Sequence, residues 1–168
     1  EKQEYNKDTD RLIFLFFFID RGEDSYKVIQ YIKELQKNNS NVIALMGNHE
    51  KMCIDFMTRN EDNWLNNGYY TTLKSYGSYQ ALSKDVEWMQ SLPMYYEDEH
   101  CIYVHAGMNP RKPLSQNTWY ELLWQRESFI YDFHKFYKKV IFGHTPSQLL
   151  LKKDKPYQTT GGNIGIDT

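Results

Sequence analysis

Four short segments hold most of the residues able to do chemistry: DRG at 20–22, GNHE at 47–50, HAG at 105–107 and GHT at 143–145. Asn48, His105 and His144 form a nitrogen and oxygen donor set suited to a divalent transition metal. Imidazole nitrogen favours zinc, iron and manganese, and an amide oxygen favours harder ions. The set contains no thiolate, so a cysteine-type tetrahedral zinc site is not indicated. His49 follows Asn48 directly. With Asn48 facing a metal, His49 can face a substrate and give a proton to a leaving alkoxide, a task its near-neutral pKa suits. Asp20 is placed to hydrogen-bond His49 and hold its protonated form. Arg21 and Arg126 offer planar guanidinium forks to phosphate oxygens. Gly47, Gly107 and Gly143 stand beside these ligands and are expected to let the backbone turn tightly and approach an ion.

Blander readings compete with each residue taken singly. A lone turn histidine is more often an ordinary loop residue, and Asp20 could be a plain turn residue. Arg126 follows Leu122, Leu123 and Trp124 on an expected helix, where a solvated arginine is the usual reading. His100 and His134 lack a ligand-bearing turn and read as structural or surface residues. Arg111 and Lys112 read as solvated loop residues. Three histidine-bearing turns in equivalent places, from only five histidines, weigh against coincidence.

These turns need a scaffold, and the pattern supplies one. The apolar run at 11–19 reads as a strand. After the DRG turn, Asp24 or Ser25 can cap a helix with Val28, Ile29, Ile32 and Leu35 on its inner face. NVIAL at 41–45 reads as a short buried strand, completing a right-handed parallel βαβ unit. The stretch 49–96 is mainly helical, with Trp88, Met89 and Leu92 at helical spacing before Pro93. CIYVHAG at 101–107 and VIFGHT at 140–145 are strands running into turns, and 115–139 is helical. The tail, 149–166, reads as short strands about a Gly161-Gly162 turn. The class is α/β, and in open α/β sheets ligands gather beyond the carboxyl ends of strands.

The 168 residues suffice for one domain with a sizeable core. A formal net charge of -2 argues against a nucleic-acid-gripping protein. The longest apolar run, 12–19, is too short to span a membrane. Cys53 and Cys101 form neither a disulfide framework nor a CxxC pair, so a reducing, cytoplasmic setting is the expectation. The opening EKQEYNKDTD lacks signal-peptide character.

Taken in order, DRG, GNHE, VHAG and FGHT resemble the calcineurin-like metallophosphoesterases, closest to the bacterial and phage-type phosphoprotein phosphatase branch. The resemblance covers nearly the whole chain. DSYKVIQYIKELQ is similar to the helix between that branch's first motifs, and LLWQRESF to its W-x-R segment. The resemblance implies a sandwich of mixed β-sheets flanked by helices and a dinuclear centre of manganese, with iron or zinc as alternatives. It implies that Asn48, His105 and His144 ligate metal, that His49 paired with Asp20 donates the proton, and that Arg21 and Arg126 bind phosphate.

Two departures from the family pattern qualify this. A D-x-H motif is expected on a strand ahead of residue 1, and a final strand after residue 168, so the chain is expected to be trimmed at both ends. The usual G-D-x-x-D-R-G is also altered. Phe16 stands at its glycine and Phe17 at its bridging aspartate. The chain is therefore expected to hold at most one metal, weakly, and to hydrolyse phosphate esters poorly. Three functions compete: a phosphatase acting on phosphoserine or phosphothreonine in proteins, a hydrolase of dinucleoside polyphosphates or other small phosphoesters, and a non-catalytic relic binding a partner or phosphorylated ligand through Arg21 and Arg126. The Asn- and Tyr-rich stretch 60–79 is expected to form the variable rim, with Trp64, Tyr69 or Tyr70 as stacking rings for a nucleotide.

Overall fold

The computed structural model describes residues 5–131, 136–152 and 154–168. The first apolar run is only partly a strand. β1 (Leu12–Phe14) pairs in parallel with β2 (Val42–Ala44) across α1 (Ser25–Asn38), giving the expected βαβ unit. Beyond Phe14 the backbone leaves the ladder because other groups claim its polar atoms. The Leu15 carbonyl binds His105, and the Phe18 N–H binds the Glu50 carboxylate at 2.6 Å. The apolar side chains at 15–19 thus serve a buried loop as well as a strand, and periodicity does not separate the two.

On α1, Ile29 and Ile32 are buried as expected, but Leu35 is half-buried and Val28 is 40% exposed. Asp24 occupies the cap position without a side-chain cap bond. The expected helical stretch resolves into α2 (Asn48–Arg59), a 3-10 turn (Asp62–Asn66), α3 (Tyr69–Tyr76) and α4 (Tyr79–Ser91). Ser78 caps α4 by accepting the Ala81 N–H. The helix stops ahead of Pro93, whose ring disfavours helical geometry at Leu92.

β3 (Tyr95–Glu97) and β4 (Cys101–Val104) follow. The helix expected across 115–139 is broken. A 3-10 turn (Leu114–Gln116) precedes α5 (Trp119–Trp124), and α6 (Glu127–Tyr131) follows an extended Gln125, ψ 136°. Thr118 and Glu121 form a reciprocal capping box on α5. His134 lies outside the described residues. β5 (Lys139–Phe142) leads to α7 (Ser147–Leu151), a helix the sequence pattern did not suggest. β6 (Tyr157–Gln158) and β7 (Ile164–Gly165) are the short strands expected about the Gly161-Gly162 turn, and they pair antiparallel.

The second sheet has the order β3-β4-β5-β7-β6 and is mixed, with β4, β5 and β7 parallel. Two apolar clusters back the sheets. One gathers Ile29, Ile32, Trp64, Leu82, Met89 and Leu123 beneath α1–α4. The other gathers Ile102, Val104, Leu122, Phe129, Val140 and Phe142 around the five-stranded sheet. Among the described residues, no helix is long and apolar enough to cross a membrane.

Candidate metal and phosphate site

The loop after β1, the first turn of α2 and the turns after β4 and β5 meet at the carboxyl ends of parallel strands. Six of the seven candidate residues meet there in three close pairs, Asp20 with His49, Asn48 with His105 and Arg126 with His144. His105 Nδ1 donates to the Leu15 carbonyl at 2.8 Å, which leaves the Nε2 lone pair facing Asn48 Oδ1 at 2.9 Å. Burial pushes the His105 imidazole down to about 4, although the Leu15 carbonyl pulls it upward. Burial, then the charges of His105 and Arg126, push His144 down to about 3. Both rings are therefore neutral near pH 7, the form that ligates metal. Their centroids lie 5.0 Å apart.

Two lone-pair atoms of Asn48 and His105 face each other at 2.9 Å, close to the roughly 3 Å separating adjacent ligands that are each about 2.1 Å from one ion. His144 Nε2 accepts the Nε–H of Arg126 at 3.0 Å, so a guanidinium cation already sits against the third donor. Among the described residues, no three His, Cys, Asp or Glu side chains gather as a metal cage, so an ion here depends on the Asn48 amide as well as two imidazoles. Asn48 Oδ1 and His105 Nε2 are spaced as two donors to one ion, and His144 can join them only by releasing Arg126. On the other side of the site stands the Phe17 ring, 4.5 Å from the His49 ring and 6.5 Å from the His105 ring.

His49 Nδ1 meets Asp20 Oδ2 at 2.6 Å, with both residues buried. Asp20 is also the acceptor for donors that sequence reasoning missed. Trp64 Nε1 lies 3.0 and 2.9 Å from its two oxygens, and Thr72 Oγ1 donates to Oδ1 at 2.7 Å. Thr72 Oγ1 in turn accepts the Asp20 N–H at 2.8 Å, and Thr71 Oγ1 donates to the Asp20 carbonyl. Trp64 is fully buried and is therefore no stacking ring on a rim, whereas Tyr70 is 66% exposed. The Asn-rich composition of 60–79 hid this role.

Glu50, the last residue of GNHE, is fully buried. Its Oε1 accepts the Phe18 N–H and its Oε2 the Gly47 N–H at 3.0 Å, tying the loop to α2. Burial pushes its carboxyl up to about 7, against the downward pull of those backbone amides. The glycines work differently from expectation. None of Gly47, Gly107 and Gly143 has positive φ, and each lies where a Cβ would strike a neighbour: Glu50 Oε2 at 2.6 Å, the Phe129 ring at 2.8 Å and the Phe16 ring at 3.1 Å. The left-handed backbone falls instead on Asp20 (φ 80°) and His144 (φ 63°).

The arginines differ. Arg126 sits at the break between α5 and α6, not within a continuous helix, and its carbonyl accepts the N–H groups of Phe129 and Ile130. Its side chain reaches the site through His144. Arg21 adjoins the dyad in sequence, but its side chain is exposed and makes no hydrogen bond among the described residues. Lys112, expected to be solvated, bonds both Glu121 oxygens at 2.8 and 3.0 Å. Arg111 and His100 are exposed, as expected.

The molecule can be set beside known proteins. No curated protein matches the chain significantly. Among solved structures, one similar fold is a protein serine/threonine phosphatase from Saccharomyces cerevisiae with similarity to human phosphatase PP5, with TM-score 0.64 and 16% identity. The match covers 94% of this chain and 57% of that one. Another is a metallophosphoesterase from Sphaerobacter thermophilus, with TM-score 0.52, 17% identity and coverage of 94% and 64%. The chain thus spans less than two thirds of either protein. The sequence profile of the calcineurin-like phosphoesterases matches residues 9–164. On that match, which takes in every segment of the site, the chain belongs to the calcineurin-like phosphoesterase family.

Proposed function

We propose that this chain carries the proton-donating half and one metal position of a phosphomonoester hydrolase, acting on phosphoserine or phosphothreonine in proteins. The observation that carries the reading is the buried Asp20–His49 pair at 2.6 Å, on the residue next to the Asn48–His105 donor pair at 2.9 Å. Family membership supports phosphoester chemistry, and the printed name of the yeast neighbour supports the protein substrate. A divalent ion, manganese first, would be held by Asn48, His105 and His144, and when bound supplies Lewis-acid polarisation and activates water. The carboxylate of Asp20 accepts Nδ1–H of the doubly protonated His49 ring and turns it so that Nε2–H is the transferable proton. When the P–O bond breaks, that proton goes to the leaving oxygen. Arg126, with Arg21, neutralises phosphate charge.

The Phe17 ring on His49 limits the site. Phe cannot ligate an ion, so the chain binds one manganese or less. The test is metal content by elemental analysis after equilibration with manganese, with phosphate release from a phosphoserine peptide. The expected result is at most one ion per chain and slow, metal-dependent release that His105→Ala abolishes. Two ions per chain, or release indifferent to His105→Ala, contradicts the reading. The same Phe17 contact favours a second reading, a phosphate-binding module without turnover. Phosphopeptide binding lost in Arg126→Ala, with no release under any metal, would select it.

A further inference from the structure

The 64–72 segment does more than line the protein. It closes around Asp20. Trp64, Thr71 and Thr72 all bond Asp20, and between them Gly68, with φ 99°, brings its backbone so close that a Cβ would meet Asp20 Cβ and carbonyl oxygen at 3.2 Å. Asp20 itself has φ 80°, a conformation that an L-residue holds only when its surroundings enforce it. Thr72 enforces it at two atoms, accepting the Asp20 N–H and donating to Oδ1. Trp64 shares its single N–H between both oxygens. A free carboxylate would rotate and offer either oxygen to its partner, or drift to solvent. Here Thr72 takes Oδ1, Trp64 bridges the two oxygens, and Oδ2 meets His49 Nδ1 at 2.6 Å.

We propose that Trp64 and Thr72 are positioning residues for the proton transfer, acting through Asp20 to hold His49 Nδ1–H on Oδ2, so that the doubly protonated ring presents its Nε2–H to the leaving oxygen. This rests on the reading of His49 as the proton donor. Neither residue touches substrate. Their removal should leave phosphate binding alone and weaken only steps in which the leaving oxygen needs a proton. Alkyl phosphates have such leaving groups, while p-nitrophenyl phosphate departs as a stable phenolate with little need for one.

The test uses Trp64→Phe, which keeps a ring against Phe56 and Tyr69 while deleting the N–H, and the pair Thr72→Val and Thr72→Ser, which remove and keep the hydroxyl. With manganese supplied, Trp64→Phe and Thr72→Val should each lower kcat for an alkyl phosphate about tenfold or more. For p-nitrophenyl phosphate they should lower it less than about threefold, with KM unchanged for both, and Thr72→Ser should behave as wild type. A merely structural role would depress both substrates alike. Independently of turnover, nitrogen-15 NMR on the deprotonated, neutral ring should show His49 retaining Nδ1–H in wild type and Thr72→Ser, and a tautomer mixture in the other two. Equal losses on both substrates, or a tautomer unchanged in Trp64→Phe and Thr72→Val, overturns the proposal. Should wild type turn over neither substrate, the hydrolase reading fails and the NMR result alone decides the positioning role.

Discussion

Asp20, Glu50 and Glu121 are three carboxylates in three settings. Asp20 is surrounded by side-chain donors and turned toward a histidine. Glu50 is buried against backbone amides. Glu121 lies at the surface end of α5, where the Lys112 ammonium first, then the Thr118 N–H, hold its carboxyl down to about 2 from an ordinary 4.5. The folded pKa lies below the unfolded one, so Glu121 stabilises the protein above pH 4.5 and that contribution is lost as pH falls toward 2. Wild type should accordingly melt at lower temperature at pH 3 than at pH 6. Glu121→Gln should cost about 1–2 kcal/mol at pH 6 and lack this part of the acid limb, as read by thermal denaturation. Phe17 belongs to the same scale. Replacing it with Asp adds a carboxylate beside His49, and the expected outcome is tighter manganese binding by calorimetry.

Elements decide how these residues meet. The DRG turn and the α3 region are far apart in sequence, yet Gly68 lets the start of α3 press on Asp20. Its φ of 99° suits glycine alone, and a Cβ has no room there. Gly68→Ala should therefore destabilise the fold by about 1–3 kcal/mol in urea titration, and should disturb the His49–Asp20 contact as well. Ser78→Ala, which removes the cap of α4 away from the site, should cost about 0.5–2 kcal/mol and leave the dyad unaltered. The contrast separates loss of stability from loss of geometry.

At the scale of the whole molecule, α5 joins the two apolar clusters. Leu122 belongs to the cluster of the five-stranded sheet and Leu123 to the cluster under α1–α4, and the Leu122 carbonyl accepts the Ala106 N–H at 2.9 Å. His105 adds a second tie, from the end of β4 to the Leu15 carbonyl. The two cores should unfold as one. Leu122→Ala and Leu123→Ala should each lower stability by about 2–5 kcal/mol, with fluorescence and circular dichroism transitions still coincident in denaturant. Separate transitions would show that the clusters are independent.

Local pattern was enough to identify the α/β alternation, the βαβ unit, the three histidine-bearing turns and the pairing of Asp20 with His49, because strand and turn signals and the motifs themselves are short-range. It failed where long-range contacts compete for the same atoms. The run at 11–19 looks like one strand, yet its second half becomes a loop once Glu50 and His105 bond its backbone. Residues 60–79 look like a solvated rim, yet Trp64 and Thr72 turn inward because Asp20 needs their donors. Gly47 and Gly143 look like turn glycines, yet what distinguishes them is the close approach of the Glu50 and Phe16 side chains, which a Cβ would crowd. Which residues could do chemistry was written in the sequence. Which oxygen of Asp20 faces His49, and what holds it there, was decided only by packing across the fold, where hydrogen-bond donors distant in sequence converge on one buried carboxylate.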